Sequence, residues 1–335
     1  MTSVAINGLG RIGRAALRII GETPELELAA VNDLADIDNL AYLLRHDTAY
    51  GRYGPSVEVE EGQLIIEGKR IPSFAEKNPS DLPWSKAGVD LVFECTGVFR
   101  HREDLQGHLD AGASHVILSA PPKGDDIPSV VYAVSEPRDE APPVVSTASC
   151  TTNCIAPVAE VLDRRIGVRK ALMTTVHAYT SSQAIVDGPS GKWERGRAGA
   201  ANLIPTSTGA AQATGTVLPQ YRDRFDGLAV RAPVPVGSLV DLCLLTRRET
   251  TREEINECLR EESVGERYAG VLGCTDEPLV SSDIVGDPRA SVVDLTQTRV
   301  VDGDLVKVIA WYDNEWGYAS QMIREAVRIG THGRA

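Results

Sequence analysis

No apolar run in the 335 residues approaches the ~18 consecutive positions that a membrane-crossing helix needs. Positive charge is also in short supply: 34 basic against 47 acidic side chains leave a formal charge of −13, which repels nucleic acid and anionic lipid surfaces. Lysine contributes only 7 of the 34 basic residues, and any anionic ligand has to be held by local donors rather than by the overall field. The six cysteines (Cys95, Cys150, Cys154, Cys243, Cys258 and Cys274) show no C-x-x-C spacing. A zinc knuckle and a redox dithiol are therefore not expected, and free thiols in a reducing compartment are. Neither an internal repeat nor a low-complexity tract is present. The N-terminus runs from Met1-Thr2-Ser3 straight into Val4-Ala5-Ile6 without a basic region or a small-residue cleavage site, so a cytoplasmic location is expected.

The length predicts two domains. In the first half, short apolar runs alternate with helix-like stretches. Val4–Ile6, Leu26–Val31, Val89–Glu94, Val116–Ser119, Val130–Val134 and Val144–Ser146 read as strands, the pattern of a parallel sheet covered on both faces. Residues 56–72 read as an inserted antiparallel hairpin. After Cys150 the texture changes to a helix over 151–164, long strands at 170–177, 228–231, 239–246 and 305–312, and a helix over 251–262. A Gly-, Ser- and Arg-rich stretch between His177 and Ile204 is too long for an ordinary connection and reads as a functional loop. The last segment, 317–329, reads as an amphipathic helix returning to the first sheet.

Gly8-Leu9-Gly10-Arg11-Ile12-Gly13 follows a strand and opens a helix. That G-x-G-x-x-G spacing permits a tight turn, close approach to a pyrophosphate and tight helix-to-strand packing. Asp33 closes the next apolar run, 20 residues after Gly13, where an acid can accept from an adenosine ribose. The same charge repels a 2′-phosphate, so NAD is favoured over NADP, with NADP as a weaker alternative.

Ser149-Cys150-Thr151-Thr152-Asn153-Cys154 joins a strand to a helix. Ser149 is a good N-cap, which places Cys150 in the first turn, where the helix dipole favours a thiolate of lowered pKa. Cys154, Cys95 and Cys243 lie within apolar segments and fit packing. Among the histidines, only His177 lies in an apolar strand among hydroxyl residues, the setting of a general base. A nucleotide site and a nucleophilic cysteine together point to aldehyde oxidation through a thioester. Anion donors nearby (Ser149, Thr151, Thr206 to Gly209, Arg197 and Arg231) suit a phosphorylated substrate and a phosphate acceptor. No metal site is indicated.

These stretches, with Glu94-Cys95-Thr96-Gly97-Val98-Phe99, Ser207-Thr208-Gly209-Ala210-Ala211 and Trp311 to Tyr318, resemble the phosphorylating glyceraldehyde-3-phosphate dehydrogenases along essentially the whole chain. The resemblance implies an α/β architecture: a Rossmann-type doubly wound nucleotide-binding domain over 1–149 and 316–335, and an α+β catalytic domain over 150–315 with a mostly antiparallel sheet. It further implies a homotetramer, Cys150 as nucleophile and His177 as base. Gly8, Gly10, Arg11, Ile12, Gly13, Asp33, Thr96, Ser119, Asn314 and Tyr318 would line the cofactor site, with Asn314 on the nicotinamide carboxamide. Ser149, Thr151, Thr208, Gly209 and Arg197, or Arg195 in its place, would take the attacking phosphate. Thr180 and Arg231 would hold the substrate's own phosphate. Residues 178–201 match the family's S-shaped loop, which approaches a neighbouring subunit's cofactor; Pro189 within it fits the NAD-using type. The chain departs from the common pattern at Thr180-Ser181-Ser182, where a hydroxyl replaces a carboxylate, and at 234–238. Three other readings compete: erythrose-4-phosphate dehydrogenase, a Cys/His thiol hydrolase for which the glycine turn would be idle, and a non-catalytic NAD-binding protein.

Overall fold

In the computed structural model, which describes residues 1–135 and 142–332, the chain falls into two units. Met1–Tyr132, Pro137–Ala148 and Met322–Ala335 form the first; Ala133–Glu136 and Ser149–Gln321 form the second. Residues 136–141 and 333–335, which the sequence reading assigns to the nucleotide-binding domain, lie outside the described residues.

The first unit grows from β1 (Thr2–Asn7), which feeds α1 (Arg11–Ile20) and β2 (Leu26–Asn32), then α2 (Ile37–Arg45), β3 (Ser73–Phe74), β4 (Leu91–Glu94), α3 (Arg102–Asp110), β5 (His115–Leu118) and β6 (Val144–Ser146). All six strands are parallel, in the order β3-β2-β1-β4-β5-β6. Successive side chains of a strand point to opposite faces. Val4 and Ile6 accordingly join Leu17, Ile20, Met322 and Ile329 on one side, while Ala5 and Ala30 meet Leu82, Trp84 and Val92 on the other. Because both faces are covered, the central strands are mostly apolar, with polar residues such as Asn7, Asn32 and Glu94 at their carboxyl ends. The strand order reverses between β1 and β4, and in such sheets ligands bind outside the carboxyl ends of the strands at that point.

The inserted segment is a three-stranded antiparallel sheet of Val57–Glu60, Gln63–Ile66 and Lys69–Ile71, one strand more than the expected hairpin. Val130–Val134, expected as a strand, is not one. Its neighbourhood makes a single bridge, Ser129 to Ser146, and the chain then turns through Ala133 at φ +64°, outside extended geometry.

The second unit opens on α4 (Cys150–Arg165), buried from Thr151 to Leu162. Then come β7 (Val168–Ala178), β8 (Ile204–Ser207), α5 (Ala210–Val217), β9 (Phe225–Ala232), β10 (Ser238–Thr246), α6 (Arg252–Val264), β11 (Leu272–Thr275), β12 (Ser291–Val301), β13 (Leu305–Tyr312) and α7 (Trp316–His332). The seven strands run in the order β8-β9-β7-β10-β13-β12-β11, with β7–β9 and β11–β12 parallel and the other pairs antiparallel. Between β7 and β8 the chain has only one short 3₁₀ turn, Trp193–Gly196. It is held by Gly188 N donating to Gly196 O at 2.8 Å and Gly199 N donating to Ala184 O at 2.9 Å.

The first six residues of α7 belong to the second unit. Asp313 Oδ1 accepts from Glu315 N and Trp316 N at 2.8 Å each, and Gln321 Nε2 donates to Pro288 O at 2.8 Å. From Met322 onward the apolar face of α7 joins the core of the first unit.

The glycine turn generates a stability test. A Cβ on Gly13 would sit 2.0 Å from Gly8 O, whereas one on Gly10 would meet nothing within 4 Å. Gly13→Ala should therefore cost about 2 kcal/mol or more of unfolding free energy. Gly10→Ala, which loses only a favoured N-cap residue, should cost no more than about 1 kcal/mol. Urea melts of the two variants compare them directly, and equal costs would show that the turn is looser than described.

Candidate active site

In the first unit the glycine turn lies at the carboxyl end of β1, at the switch point. Gly8 adopts φ +95°, and a Cβ there would lie 2.7 Å from Thr96 N, so only glycine lets the two loops touch. Gly10 caps α1 without a side-chain hydrogen bond, and the space beside it is open. That combination is what a pyrophosphate over a helix N-terminus requires. Asp33 Oδ2 accepts from Leu9 N at 2.7 Å and its Oδ1 from Ala35 N at 2.9 Å. Each oxygen keeps a lone pair for a ribose hydroxyl. The donor set and the open cradle fit a dinucleotide. Arg11 pairs with Asp47 and lies over the Tyr50 ring, its guanidinium carbon 5.4 Å from the ring centroid. Ser119 follows β5, its N–H donating to Glu94 O at 3.0 Å.

In the second unit the reactive pair comes from a helix and a strand. Ser149 caps α4, its Oγ accepting from Thr152 N at 3.1 Å, as the sequence predicts. Cys150 begins the helix, and its Sγ lies 3.4 Å from His177 Nε2. His177 is the second-last residue of β7, buried, with Arg231 directly across the parallel ladder on β9. His177 Nδ1 sits 2.7 Å from Ala178 O and 2.7 Å from Arg231 Nη1, and Arg231 Nη1 also donates to Ala178 O at 2.9 Å. The imidazole offers Nε2 to the thiol as an acceptor in the tautomer that carries its proton on Nδ1 and gives it to the Ala178 carbonyl, whereas Arg231 Nη1, which can only donate, favours the other tautomer.

The expected thiolate of lowered pKa is corrected by this geometry. Burial pushes the Cys150 thiol up, against the opposing pull of the Arg231 guanidinium, the Thr151 hydroxyl and the first-turn amides. Burial, aided by Arg231, lowers His177 to about 3. Both shifts act in the direction of the uncharged forms.

Around the pair, Thr151 Oγ1 and Thr175 Oγ1 both meet Tyr312 OH, at 2.9 and 3.0 Å, and the Tyr312 ring stands edge-on to His177. Sequence reading missed Tyr312 as a site residue. Its signal is a hydroxyl at the inward-facing end of a strand, and only the β10–β13 register brings it here. Asn314 Oδ1 accepts from Ser238 Oγ at 2.9 Å and Gly237 N at 3.2 Å, which leaves its Nδ2 as the donor. Tyr318 is buried on the first turn of α7.

Anion donors surround this centre. Arg231 Nε is buried with no hydrogen-bond partner among the described residues, an orphan that an anion would satisfy. Thr208 Oγ1 accepts from Ala210 N at 3.2 Å at the Gly209-capped start of α5. Thr180 Oγ1 lies 2.9 Å from Ser182 Oγ. The structure separates the two candidate arginines. Arg195 donates to Thr206 Oγ1 at 3.1 Å and Ser207 O at 3.2 Å, and its charge reaches both His177 and Arg231. Arg197 is mostly exposed and paired with Asp187 at 2.8 Å, so it is not brought to the site. Among the described residues no three His, Cys, Asp or Glu side chains converge as a metal site.

The chain thus carries an open glycine cradle that fits a dinucleotide in the first unit and a thiol within reach of an imidazole in the second, the combination expected of a nucleotide-dependent oxidoreductase. Comparison with known proteins narrows the class. Residues 2–102 match the family model "Glyceraldehyde 3-phosphate dehydrogenase, NAD binding domain", and residues 149–314 match "Glyceraldehyde 3-phosphate dehydrogenase, C-terminal domain". The chain is 47% identical over 329 residues to a glyceraldehyde-3-phosphate dehydrogenase of Zymomonas mobilis, covering 97% of this chain and 98% of that one. It is 46% identical over 332 residues to glyceraldehyde-3-phosphate dehydrogenase 1 of Bacillus subtilis, covering 98% of each. The chain belongs to the glyceraldehyde-3-phosphate dehydrogenase family.

The raised Cys150 thiol makes a direct prediction. Iodoacetamide should modify Cys150 ahead of Cys95 and Cys154, both pushed to about 12 by burial. The Cys150 rate should climb as pH rises and fall on acidification, because its pKa lies above the ordinary thiol value of about 8.5. His177→Asn should slow the reaction by about 10²-fold at neutral pH. A rate that stays flat down to about pH 6 would instead mean a thiolate already formed.

Proposed function

We propose that the chain oxidises D-glyceraldehyde 3-phosphate to 1,3-bisphosphoglycerate with NAD and inorganic phosphate. The observation that carries this reading is the 3.4 Å contact between Cys150 Sγ and His177 Nε2 beside the unpaired Arg231 Nε: a nucleophile, its base and an anion donor in one pocket. NAD, when bound, accepts the hydride. Gly8, Gly10, Gly13, Arg11 and Ile12 would hold its pyrophosphate and Asp33 its adenosine ribose, with Thr96 and Ser119 on the adjoining loops, and Asn314 Nδ2 and Tyr318 would serve its nicotinamide carboxamide.

The remaining steps belong to the chain's own side chains. As Cys150 sulfur bonds to the aldehyde carbon, His177 Nε2 takes the thiol proton and passes it to the former carbonyl oxygen, giving a hemithioacetal and freeing Nε2. His177 Nε2 then takes the hydroxyl proton as the hydride leaves the same carbon for the bound NAD, which leaves a thioester on Cys150. Phosphate oxygen attacks the thioester carbon, the C–S bond breaks, and the proton held on His177 returns to the sulfur. Ser149, Thr151, Thr208, Gly209 and Arg195 orient that phosphate; Arg231 and Thr180 hold the phosphate of the aldehyde.

The nucleotide-binding domain of this reading is 1–149 with 316–335, and the catalytic domain 150–315. A homotetramer is supported by apolar side chains left exposed in the long loop, Ile185, Val186 and Trp193, and on the sheet, Leu172 and Leu228. No helix among the described residues is long and apolar enough to cross a membrane, and a cytoplasmic enzyme is the simplest setting. An erythrose-4-phosphate substrate is disfavoured by the intact Thr208-Gly209-Ala210 segment. A thiol hydrolase would leave the glycine turn and Asp33 without a task.

Reduced nicotinamide should accumulate continuously with aldehyde, NAD and phosphate all present, and stop after one equivalent per subunit when phosphate is left out. Continuous turnover without phosphate would overturn the reading. Arg195→Leu should raise KM for inorganic phosphate by about tenfold or more, the scale of one lost charge-assisted contact, and Arg197→Leu should not. The reverse ranking would restore Arg197. Asp33→Ala should narrow the preference for NAD over NADP by about ten- to a hundredfold, mainly by improving NADP; a ratio unchanged in steady-state assays would remove Asp33 from the ribose.

A further inference from the structure

A carboxylate beneath the glycine turn is buried without a cationic partner. Glu94 ends β4 and stands directly across from Asn7 at the end of β1. Glu94 is 0% exposed, as are His108 on α3 and Trp84, and Asn7 is 1% exposed. Glu94 Oε2 accepts from Asn7 Nδ2 at 2.6 Å and from His108 Nε2 at 3.1 Å. Its Oε1 accepts from Thr96 N at 2.8 Å and Thr96 Oγ1 at 2.5 Å. Trp84 Nε1 donates to His108 Nδ1 at 3.0 Å, which places the imidazole proton on Nε2, facing the carboxylate. Among the described residues, every donor to Glu94 is a neutral group.

Burying a carboxylate in this way is costly, and an apolar pair of similar volume would serve packing as well. The geometry shows what the charge does instead. One oxygen is tied to Asn7, the residue before Gly8, and the other to Thr96, whose N lies 2.7 Å from where a Gly8 Cβ would be. The chain of bonds continues from Asn7 Oδ1 to Asn32 Nδ2 at 2.7 Å, and Asn32 precedes Asp33. Thr96 Oγ1 in turn accepts from Val98 N at 3.1 Å. Both walls of the glycine turn, and the residue before the ribose acid, therefore hang on a single carboxylate whose orientation is fixed from behind by His108 and Trp84.

We propose that Glu94 is a positioning residue for the dinucleotide, holding the Asn7–Gly8 and Thr96–Gly97 segments at the separation the cofactor needs, with His108 and Trp84 locking its orientation. The proposal rests on the reading of the first unit as an NAD site. Glu94→Gln keeps the volume but replaces an acceptor oxygen with a donor NH₂, which must face either the Thr96 donors or those of Asn7 and His108. Trp84→Phe keeps the carboxylate but frees the His108 tautomer.

Calorimetric titration of the purified protein with NAD tests this. Glu94→Gln should raise Kd for NAD by about tenfold or more and Trp84→Phe by a few-fold. In steady state the loss should fall on KM for NAD and not on KM for the aldehyde, and the alkylation rate of Cys150 should match the unmodified protein. A merely structural role would lower the melting temperature and spread the loss over both substrates. An unmodified protein that binds no NAD would overturn the functional reading itself. NAD binding by the unmodified protein together with a Glu94→Gln Kd within twofold of it would overturn this proposal alone. If Glu94→Gln does not fold, an unchanged Kd in Trp84→Phe overturns it.

Discussion

Everything chemical in this chain depends on the 3.4 Å between Cys150 Sγ and His177 Nε2. Neither atom is placed by a loop. The sulfur is fixed by the capped first turn of α4, and the imidazole by its penultimate position in an eleven-residue strand whose ladder also delivers Arg231 alongside. A shift of one residue in that ladder would send the side chains to the opposite face of the sheet. The register is secured by apolar residues on the buried face of β7, including Ala171 and Met173, and by the long pairing with β10. Packing in the sheet interior thereby sets the distance between thiol and imidazole.

Burial has two effects at the pair. It removes water from the thiol and the imidazole, which favours their neutral forms, and it strengthens each remaining electrostatic interaction. The Arg231 guanidinium, whose Nε has no partner among the described residues, adds to burial in opposing a proton on His177. In the first unit the same principle takes another form, since a buried carboxylate saturated by neutral donors is rigid in a way a solvated one is not.

Much of this was legible in the residues. The glycine spacing, Asp33, the Ser149 cap and the apolar strand around His177 are local patterns, and local patterns report turns, caps and strands well. Val130–Val134 misled because β-branched content says nothing about whether a neighbour extends the ladder, and Ala133 leaves extended geometry after one bridge. The direction in which the Cys150 thiol is shifted was not legible, because a helix N-terminus can be read from sequence, whereas the depth at which it is buried cannot. Arg195 and Arg197 differ only in which way a two-residue step points them, and that is settled by Asp187 and Thr206, 10 and 11 residues away. Tyr312, Glu94 and His108 were invisible as partners because the contacts of Tyr312 with Thr151, of Glu94 with Asn7 and of His108 with Glu94 span 161, 87 and 14 residues.

The division of labour between ladder and loop bears on how such a chain can change over generations. Cys150, His177 and Arg231 sit on regular elements whose positions are shared with the core, so substitutions that move them are paid for in folding. Thr180, Ser182 and Arg195 lie on the long segment between β7 and β8, which is held by its own backbone bonds and by side-chain bonds to the edge strand β8. Mutations there can resize or recharge the anion pocket while leaving the reactive pair intact.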